Sequence, residues 1–436
     1  MSITSGDGPR STLFSSLEIR NWRQFDDVRI DFHPRLTVIT GANASGKSTL
    51  LSILARHFNW IRQYSTAPRH RAANRSGDDA SPWESWFGQQ LPTGQVQRSI
   101  GTLEYSSGVK SDITVPDANG LSRVQYDVWL PNQQTIAGVN LNSHRAATGA
   151  YSPVTAIPTA FGSAQEVLEQ FILETRNRWT GAYSAKTPAA VLKETLLAAA
   201  LLGASSNESV DQNPEANRVW WGFQDVLREL LPASLRFRRL RSRVPDLILE
   251  TDSGDFILDE ASGGVSAIIE IGWQIFLATR PGPHRSTHES VVLFDEPENH
   301  LHPSLQREIV PALLRAFPNV QFVIATHSPF IVTASEDSKV FALRYNETSG
   351  VDSRELDYVN KAASAQDTLT SVLGVESTMP IWAENKYDSI VAKFASGIDS
   401  SKSLDAMRDE MADAGLMAEF PLALAALARR IRGTES

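Results

Sequence analysis

The sequence predicts an α/β fold in which a mixed or parallel sheet is flanked by helices and joined to an antiparallel β lobe. Three observations lead to this prediction. A glycine-rich segment, residues 41–49, stands between an apolar, β-branched run and a helical run. Two further apolar runs, 291–294 and 320–325, end in charged or polar residues, as strands buried on both faces do. Residues 12–35 alternate in the manner of antiparallel strands.

Composition excludes several classes of protein. The chain has 436 residues, 42% of them hydrophobic and 21% charged, as in soluble globular proteins. It has no cysteine, so disulfides and thiolate metal sites are excluded. No apolar run approaches the roughly 18 residues of a membrane helix, and residues 1–10 do not resemble a signal peptide, so we expect a cytoplasmic protein without membrane contact. A net charge of −9 argues against a protein that binds nucleic acid over its whole surface, but it allows a local basic stripe.

Two strands are predicted in residues 12–35, joined through residues 21–25. Arg23 lies in this connection, ahead of the glycine-rich segment, where many nucleotide-binding folds place a side chain that contacts base or phosphate. A solvated arginine beside a core tryptophan, Trp22, is the alternative, and the sequence does not separate the two.

The glycine-rich segment has the form Gly-x-x-x-x-Gly-Lys-Ser between a strand and a helix, which is the context that a phosphate-binding loop requires. Gly41 and Gly46 allow the backbone to turn its N–H groups toward phosphate oxygens at a helix N-terminus. Lys47 can reach the β- and γ-phosphates, and the Ser48 hydroxyl can bind Mg²⁺. The sequence therefore predicts ATP and Mg²⁺ as ligands.

The middle of the chain carries fewer chemical signals. Strands are predicted at 100–105, 112–115 and 123–130, and helical periodicity over 164–231 indicates a helical insertion. Residues 235–243 then contain five arginines. This stripe is either a surface for phosphate backbones or acidic partners, or the solvated face of a strand.

Three segments in the second half carry further polar groups at the ends of apolar runs. Ser262, Gly263 and Gly264 open a long apolar helix, an arrangement that can bind anions. Asp295 and Glu296 follow a buried strand, so that Asp295 is placed to hold Mg²⁺ through water and Glu296 to orient or deprotonate the attacking water. His327 follows the next buried strand, where it can hydrogen-bond the γ-phosphate or that water.

The order of these motifs resembles the ATP-binding cassette (ABC) class of ATPases over roughly residues 12–345. The forms Asp-Glu-Pro-Glu-Asn-His-Leu-His-Pro at 295–303 and Thr-His-Ser-Pro-Phe at 326–330 are similar to the RecF/SMC-related branch, and more narrowly to the OLD-type ATPases of prokaryotic defence systems. The resemblance implies an ABC-type P-loop NTPase core. It also implies that two subunits sandwich two ATP molecules, with Ser262, Gly263 and Gly264 acting on the partner's nucleotide and Asn299 and His300 at the interface.

Together these arguments define the predicted site. Catalysis is assigned to Lys47, Glu296 and His327, and the metal to Ser48 and Asp295. The residues expected to contact nucleotide are Gly41, Asn43, Gly46, Lys47, Ser48, Thr49, Ser262, Gly263, Gly264 and Arg23.

The chain departs from the family pattern at three places. Ala44 replaces a glycine that is common in the loop of this branch, and Ala261 and Val265 replace the usual leucine and glutamine or glutamate of the Ser-Gly-Gly signature. The Mg²⁺-sensing glutamine has no clear match; the candidates are Gln89, Gln90, Gln133 and Gln134.

Four parts are expected: an N-terminal ATPase lobe (11–160), the helical insertion (161–232), a C-terminal ATPase lobe (233–345) and a helical tail (346–436). OLD-type proteins often continue into a Toprim nuclease domain. Glu384 and Asp388 resemble its first motif only weakly, and no Asp-x-Asp follows. We therefore expect the tail to be an interaction surface and any effector to be a separate protein.

The resulting functional hypothesis is an ATPase that forms a homodimer or higher homo-oligomer on ATP. It would be the sensor or regulatory subunit of an antiviral complex of the Septu or PARIS kind, controlling a separate nuclease or toxin, with DNA or a phage protein as the candidate trigger. The alternative is a DNA-repair or DNA-clamp ATPase, which the arginine stripe favours. A scaffold that binds ATP without turnover is disfavoured by the Asp295–Glu296 pair.

Overall fold

The computed structural model describes most of the chain. Described are residues 12–65, 97–116, 125–143, 151, 153–154, 156–158, 160–179, 181–183, 186–204, 211–279, 289–357, 364–374, 379–394 and 401–424. They belong to two compact units, one up to Thr368 and one from Leu369 onward.

The first unit is built on a ten-stranded mixed sheet. Its strands, in chain order, are β1 (Phe14–Trp22), β2 (Phe25–Asp31), β3 (Leu36–Gly41), β5 (Gln97–Tyr105), β6 (Lys110–Pro116), β8 (Gly138–Leu141), β12 (Ser290–Asp295), β13 (Val320–Ala325), β14 (Lys339–Tyr345) and β15 (Val351–Glu355). In space they lie in the order β6-β5-β1-β2-β15-β14-β3-β13-β12-β8.

One half of this sheet is parallel and carries the predicted motifs. β14, β3, β13, β12 and β8 all run in the same direction. Every residue of β3 and β13 is buried, as expected for strands covered on both faces. Because their carboxyl ends meet at one edge, the segments that follow β3, β12 and β13 come together there.

The other half is the antiparallel lobe. β1 pairs with β2 and with β5, and β5 pairs with β6, all antiparallel. Side chains such as Leu17, Ile19, Val28 and Leu103 alternate inward and are fully buried. The lobe thus presents one apolar face to the core, which confirms the alternation predicted from the sequence.

Two smaller sheets complete the β structure. β9 (Phe237–Arg243), β10 (Asp246–Thr251) and β11 (Phe256–Ile257) form an antiparallel meander. β4 (Tyr64–Ser65) pairs with β7 (Gln125–Tyr126). Of the strand predicted at 123–130, the described residues form only this two-residue β7 and one isolated bridge at Trp129.

Seven regular α-helices cover the sheets within the described part of the first unit, and a short eighth one follows. They are α1 (Lys47–Leu54), α2 (Ala164–Trp179), α3 (Pro188–Leu202), α4 (Pro214–Leu230), α5 (Gly263–Thr279), α6 (Pro303–Ala316), α7 (Pro329–Val332) and α8 (Ala365–Asp367). The three helices α2 to α4 form the predicted insertion, and they begin with helix-start signals such as Thr187 and Asn213, whose side chains cap the N-termini of α3 and α4.

The insertion is joined to the rest of the unit by polar contacts of a buried lysine. The Lys193 side chain in α3 is 2% exposed. Its Nζ lies 2.9 Å from Asp246 Oδ1 in β10 and 2.6 Å from Asp259 Oδ2, in the 3₁₀ turn Leu258–Glu260. We call this group the Lys193 ion cluster. It links the insertion to the turn that precedes Ser262.

The second unit contains α9 (Ile381–Phe394) and α10 (Ser401–Asp413) and has its own small core, which includes Ile390, Met407 and Met411. This agrees with the predicted helical tail, whereas residues 351–355, also assigned to the tail, form β15 and pair with β14 and β2. Among the helices of the described ranges, none is both long and apolar enough to cross a membrane. The predicted α/β fold class is confirmed.

Candidate functional site

The loop after β3 has the geometry of a phosphate cradle. Gly41 and Gly46 have φ of +141° and +103°, a region that favours glycine. A Cβ on Gly46 would lie 2.4 Å from Gln24 Nε2, and one on Gly41 would lie 2.4 Å from Leu343 O, so no larger residue fits at either position. Ala44 also has a positive φ, 62°, which explains why glycine is common there.

Several features of this loop fit a bound triphosphate. α1 begins directly after Gly46 and has no side-chain cap at its N-terminus. Ser45 is fully buried, and its Oγ has no hydrogen-bond partner among the residues that the structure describes. Uncapped N–H groups at a helix start favour an anion. Asn43 is exposed at the tip of the loop, and Thr49 lies in the first turn of α1.

Lys47 is held inside the loop. Its side chain folds back so that Nζ donates hydrogen bonds to Gly41 O at 2.9 Å and to Ala42 O at 3.1 Å. Burial lowers the pKa of Lys47 to about 8, although the nearby carboxylates, Asp295 foremost, oppose this change. Its ammonium group is therefore mostly charged at neutral pH and close to the site where phosphates would lie.

The two residues predicted to hold metal lie together. β12 ends at Asp295, and the Ser48 hydroxyl on α1 is hydrogen-bonded to this carboxylate. Burial raises the pKa of Asp295 to about 6, and the hydrogen bond from Ser48 limits the rise. Its Oδ1 is buried and has no hydrogen-bond partner within the described ranges. A hydroxyl and a buried, under-bonded carboxylate oxygen are hard oxygen ligands, and they fit Mg²⁺.

Glu296 is fixed by its backbone and by a neighbour. It has a φ of 50°, which is uncommon for a residue other than glycine, and its N–H donates to Ala325 O at 2.8 Å. Asn299 Nδ2 donates to Glu296 Oε2 at 2.9 Å. Such a sparsely populated conformation is maintained by the contacts around it, and it directs the carboxylate to the edge of the sheet.

His327 lies across from Glu296 at the end of β13. Its Nε2 is 3.8 Å from Glu296 Oε1. Burial lowers the pKa of His327, and the charge of Lys47 lowers it further. Both effects favour the neutral imidazole, which donates a hydrogen bond from one ring nitrogen and accepts one at the other.

The signature residues lie elsewhere in the unit. Ser262 and Gly263 are exposed at the start of α5, and Gly264 faces Leu305 and His300 O. In the part of the chain that the structure describes, no hydrogen bond joins these three residues to residues 41–49. The structure thus brings together Lys47, Ser48, Asp295, Glu296 and His327, but not the signature.

Arg23 is near the loop without lying in it. Its guanidinium carbon is 6.0 Å from the centre of the Trp22 ring and 5.5 Å from that of Tyr64. The next two residues, Gln24 and Phe25, are the ones that contact Gly46. The turn between β1 and β2 therefore borders the phosphate loop, and the Arg23 guanidinium lies over two aromatic rings.

Of the sequence-based candidates for a Mg²⁺-sensing glutamine, the two that the structure describes lie at the opposite end of β8 from this edge. Gln89 and Gln90 lie outside the described residues, and Gln133 and Gln134 precede β8. β8 pairs with β12, with Leu141 opposite Phe294, so Asn142 and Ser143 are the residues that follow beside Asp295.

Ser143 O accepts a hydrogen bond from Asn299 Nδ2 at 3.2 Å, which ties the end of β8 to the segment after Glu296. The sequence could not show this, because only the order of strands in the sheet places β8 next to β12.

The arginine stripe is partly neutralised by two acids, one on β10 and one in the turn that follows it. Arg238 pairs with Asp252, Arg239 with Glu250 at 2.6 Å, and Arg241 with the same Glu250 at 2.8 Å. Three of the five arginines of 235–243 thus have a carboxylate partner. These pairs are exposed, and each contributes little to stability. They reduce the positive potential that a phosphate backbone would meet.

Family models match two parts of the chain. A model described as "AAA domain, putative AbiEii toxin, Type IV TA system" matches residues 220–333. A second, described as "AAA domain", matches residues 16–57. The first covers the signature, Asp295, Glu296 and His327, and the second covers the phosphate loop.

Several proteins are similar to this chain in sequence. Septu protein PtuA of Bacillus thuringiensis is 27% identical over 165 residues, which are 36% of this chain and 42% of that protein. The Retron Ec83 probable ATPase of Escherichia coli is 27% identical over 125 residues, 28% of this chain and 23% of that protein. DNA replication and repair protein RecF of Lactococcus lactis is 27% identical over 106 residues, 24% of this chain and 26% of that protein. The chain spans less than half of the length of each of these relatives.

Among solved structures, the SMC head domain from Thermotoga maritima has a TM-score of 0.40 and 13% identity, covering 79% of this chain and 99% of that chain. The sequence matches confirm the resemblance to RecF/SMC-like ATPases and to ATPases of defence systems that was drawn from the motifs, while the narrower OLD-type assignment stays a prediction. With the observed sheet and the order of its motifs, they fit an ATPase of the AAA/ABC class and of the RecF/SMC-like kind, related to Septu PtuA and to the retron ATPases.

Proposed function

We propose that this protein hydrolyses ATP in a Mg²⁺-dependent reaction at the edge formed by β3, β12 and β13. One observation carries the proposal: the cradle of residues 41–49 lies against a cation, a hydrogen-bonded hydroxyl–carboxylate pair and a neutral histidine. The residues that bring these groups are Lys47, Ser48, Asp295, Glu296 and His327.

Each side chain has a role that its surroundings support. Ser48 and Asp295 would hold Mg²⁺, which when bound neutralises phosphate charge. Lys47 attracts the phosphates through its ammonium group. Glu296 orients the attacking water or accepts its proton, and the nearby neutral His327 hydrogen-bonds the γ-phosphate or that water. The loop amides stabilise the charge that develops during transfer.

The assembly that we propose is a homodimer or higher homo-oligomer that closes on ATP. Ser262 and Gly263 are exposed, and within the described residues no hydrogen bond joins them to the phosphate loop of their own subunit. An exposed helix start that can bind anions is suited to meet the nucleotide of a second subunit. The division into lobes 11–160 and 233–345, with an insertion and a tail, stays a prediction.

At the level of the cell we propose a regulatory subunit of a prokaryotic antiviral complex that controls a separate nuclease or toxin effector. The similarity to Septu protein PtuA and to retron ATPases supports this choice. DNA or a phage protein is the proposed trigger.

Three variants test the enzyme and its assembly. Lys47→Ala should abolish nucleotide binding or hydrolysis. Glu296→Gln should keep ATP bound and lower kcat by roughly 10²–10⁴-fold. Glu308→Gln, at an exposed position of α6, is the matched control and should behave as wild type. Normal turnover in Glu296→Gln would overturn the catalytic assignment.

Molar mass by light scattering, with and without Mg-ATP, tests the assembly and the effector. Glu296→Gln should form a stable ATP-dependent oligomer that retains the product of the neighbouring gene. An ATP-dependent oligomer that does not bind this product would contradict the regulatory proposal and leave the ATPase proposal intact.

A second candidate function is a DNA-repair ATPase, because the chain is also similar to RecF. The test is DNA binding as a function of salt, in wild type and in a variant with Arg238, Arg239 and Arg241 changed to serine. A steep salt dependence that is lost in the variant would favour this candidate. The ion pairs of these arginines predict instead weak binding that the variant does not change.

A further inference from the structure

One carboxylate of the site, Glu298, was not assigned any role from the sequence. It lies two residues after Glu296, and its Oε1 accepts three hydrogen bonds from one short segment. The donors are Thr326 Oγ1 at 2.8 Å, the His327 backbone N–H at 2.8 Å and the Ser328 backbone N–H at 3.1 Å. A single oxygen thus binds the residue before His327, His327 itself and the residue after it.

A second residue reinforces this connection. Gln306, in α6, accepts a hydrogen bond from Ser328 Oγ at 2.7 Å and donates one to Leu301 O at 3.0 Å. Thr326 and Ser328 are 0% and 5% exposed, so water does not compete readily for these groups. The segment 326–328 is therefore fixed to the segment that follows Glu296 on both sides of the histidine.

The arrangement determines where the imidazole points. His327 has its backbone N–H bonded to Glu298 and its Nε2 3.8 Å from Glu296 Oε1. Since side-chain direction follows from backbone position, releasing this N–H would let the imidazole move relative to Glu296. Displacements of about 1 Å can cost on the order of 100-fold in rate.

We propose that Glu298 is a positioning residue that holds the His327 imidazole in place opposite the Glu296 carboxylate. Glu298 does not itself exchange a proton with substrate. This inference rests on the proposed ATPase function. Its basis is that Oε1 already accepts hydrogen bonds from three donors in the segment that carries His327.

Two substitutions at the same position separate positioning from proton transfer. A glutamine retains an oxygen that can accept the three bonds but is not a base near neutral pH. Glu298→Gln should therefore keep kcat within about tenfold of wild type, whereas Glu298→Ala should lose roughly 100-fold, with the KM for Mg-ATP little changed in both. If Glu298→Gln is as inactive as Glu298→Ala, the positioning role is wrong and a proton-transfer role is indicated.

A double-variant cycle tests whether Glu298 acts through His327. If it does, Glu298→Ala should add nothing to the defect of His327→Ala, because the group that it positions is already absent. Fully additive losses would overturn the proposal.

Amide hydrogen exchange of residues 326–328 gives a readout that does not depend on activity. Glu298→Ala should expose the N–H of His327 to faster exchange, while Glu298→Gln should retain most of the protection; the Ser328 N–H, which also donates to Thr326 Oγ1 at 2.9 Å, should change less. Unchanged exchange in Glu298→Ala would contradict the proposal. If this variant does not fold, Thr326→Val removes one donor to Glu298 together with one acceptor of the Ser328 N–H, and it should give a smaller loss in the same direction.

Glu296→Gln and Glu308→Ala complete the panel. An active Glu296→Gln would show that the proposed catalytic assignment has failed. An inactive Glu296→Gln beside a fully active Glu298→Ala would show that only the positioning inference has failed. Glu308→Ala, exposed on α6, should match wild type in every assay.

Discussion

Asp295→Asn is predicted to stabilise the metal-free protein while it removes Mg-ATP binding. Burial raises the pKa of Asp295 from 3.8 to about 6, so the folded protein binds this proton more tightly than the unfolded chain does. Stability therefore falls as the pH rises from about 4 to 6, and the ionised carboxylate destabilises the fold above that range. At 1.36 kcal/mol per pH unit, the full effect is about 3 kcal/mol.

An asparagine avoids this cost because its amide is neutral, and its oxygen can still accept the hydrogen bond from Ser48. The value of about 3 kcal/mol is an upper limit for the gain in the free energy of unfolding, because the new NH₂ group also needs an acceptor. At pH 7 the gain should approach about 3 kcal/mol, and at pH 5 it should be roughly half of that, because the native carboxyl is then largely protonated.

The assay is urea unfolding in EDTA at pH 7 and pH 5, followed by a thermal scan with Mg-ATP. Asp211→Asn, at an exposed position before α4, is the control. It should change neither the free energy of unfolding in urea nor the Tm with Mg-ATP. Wild type should gain stability with Mg-ATP through binding to the folded state, and Asp295→Asn should not. An asparagine variant that is less stable than wild type at pH 7, by an amount independent of pH, would refute the reasoning.

Three further predictions follow from other parts of the structure. The kcat/KM for Mg-ATP should fall below about pH 6, as Asp295 gains a proton, and above about pH 8, as Lys47 loses one; a profile that rises continuously from pH 5 to 9 would contradict this. Lys193→Ala removes a buried ammonium group and leaves two half-buried carboxylates without their cation, so it should lower the free energy of unfolding by about 1–3 kcal/mol in urea titrations, whereas the exposed Lys110→Ala should lower it little. Ala44→Gly relieves a positive φ but loosens the unfolded chain, so its unfolding free energy should change by less than about 1 kcal/mol, while Ala44→Val should lose stability and Mg-ATP affinity in the same titrations.

Local patterns were sufficient for the elements that form the site. β3, the loop 41–49 and α1 are contiguous, and their signals are an apolar run, two glycines and a helical run. Asp295 is the last residue of β12, and His327 comes two residues after the end of β13, and both strands are rich in apolar residues. Because parallel strands end at one edge, their convergence could be predicted without knowing the order of the strands.

Residues whose partners are distant in sequence could not be predicted in this way. Asn142 and Ser143 border Asp295 only because β8 is the neighbour of β12, and no local signal gives that order. β15 is a five-residue strand whose register depends on β14 and β2, and its sequence has no clear alternation. A short strand gains its stability from its partners, so the tertiary structure decided it.

The sequence by itself determined the fold class, the phosphate loop and the candidate groups at the strand ends, since each depends on residues that are close along the chain. The tertiary structure decided which charges are paired and which side chains hold others in place. The arginine stripe shows the first point, because the carboxylates that face it belong to another strand and its turn. Glu298 shows the second: its three donors are 28 to 30 residues away, and only the packing of β12 against β13 brings them to one oxygen.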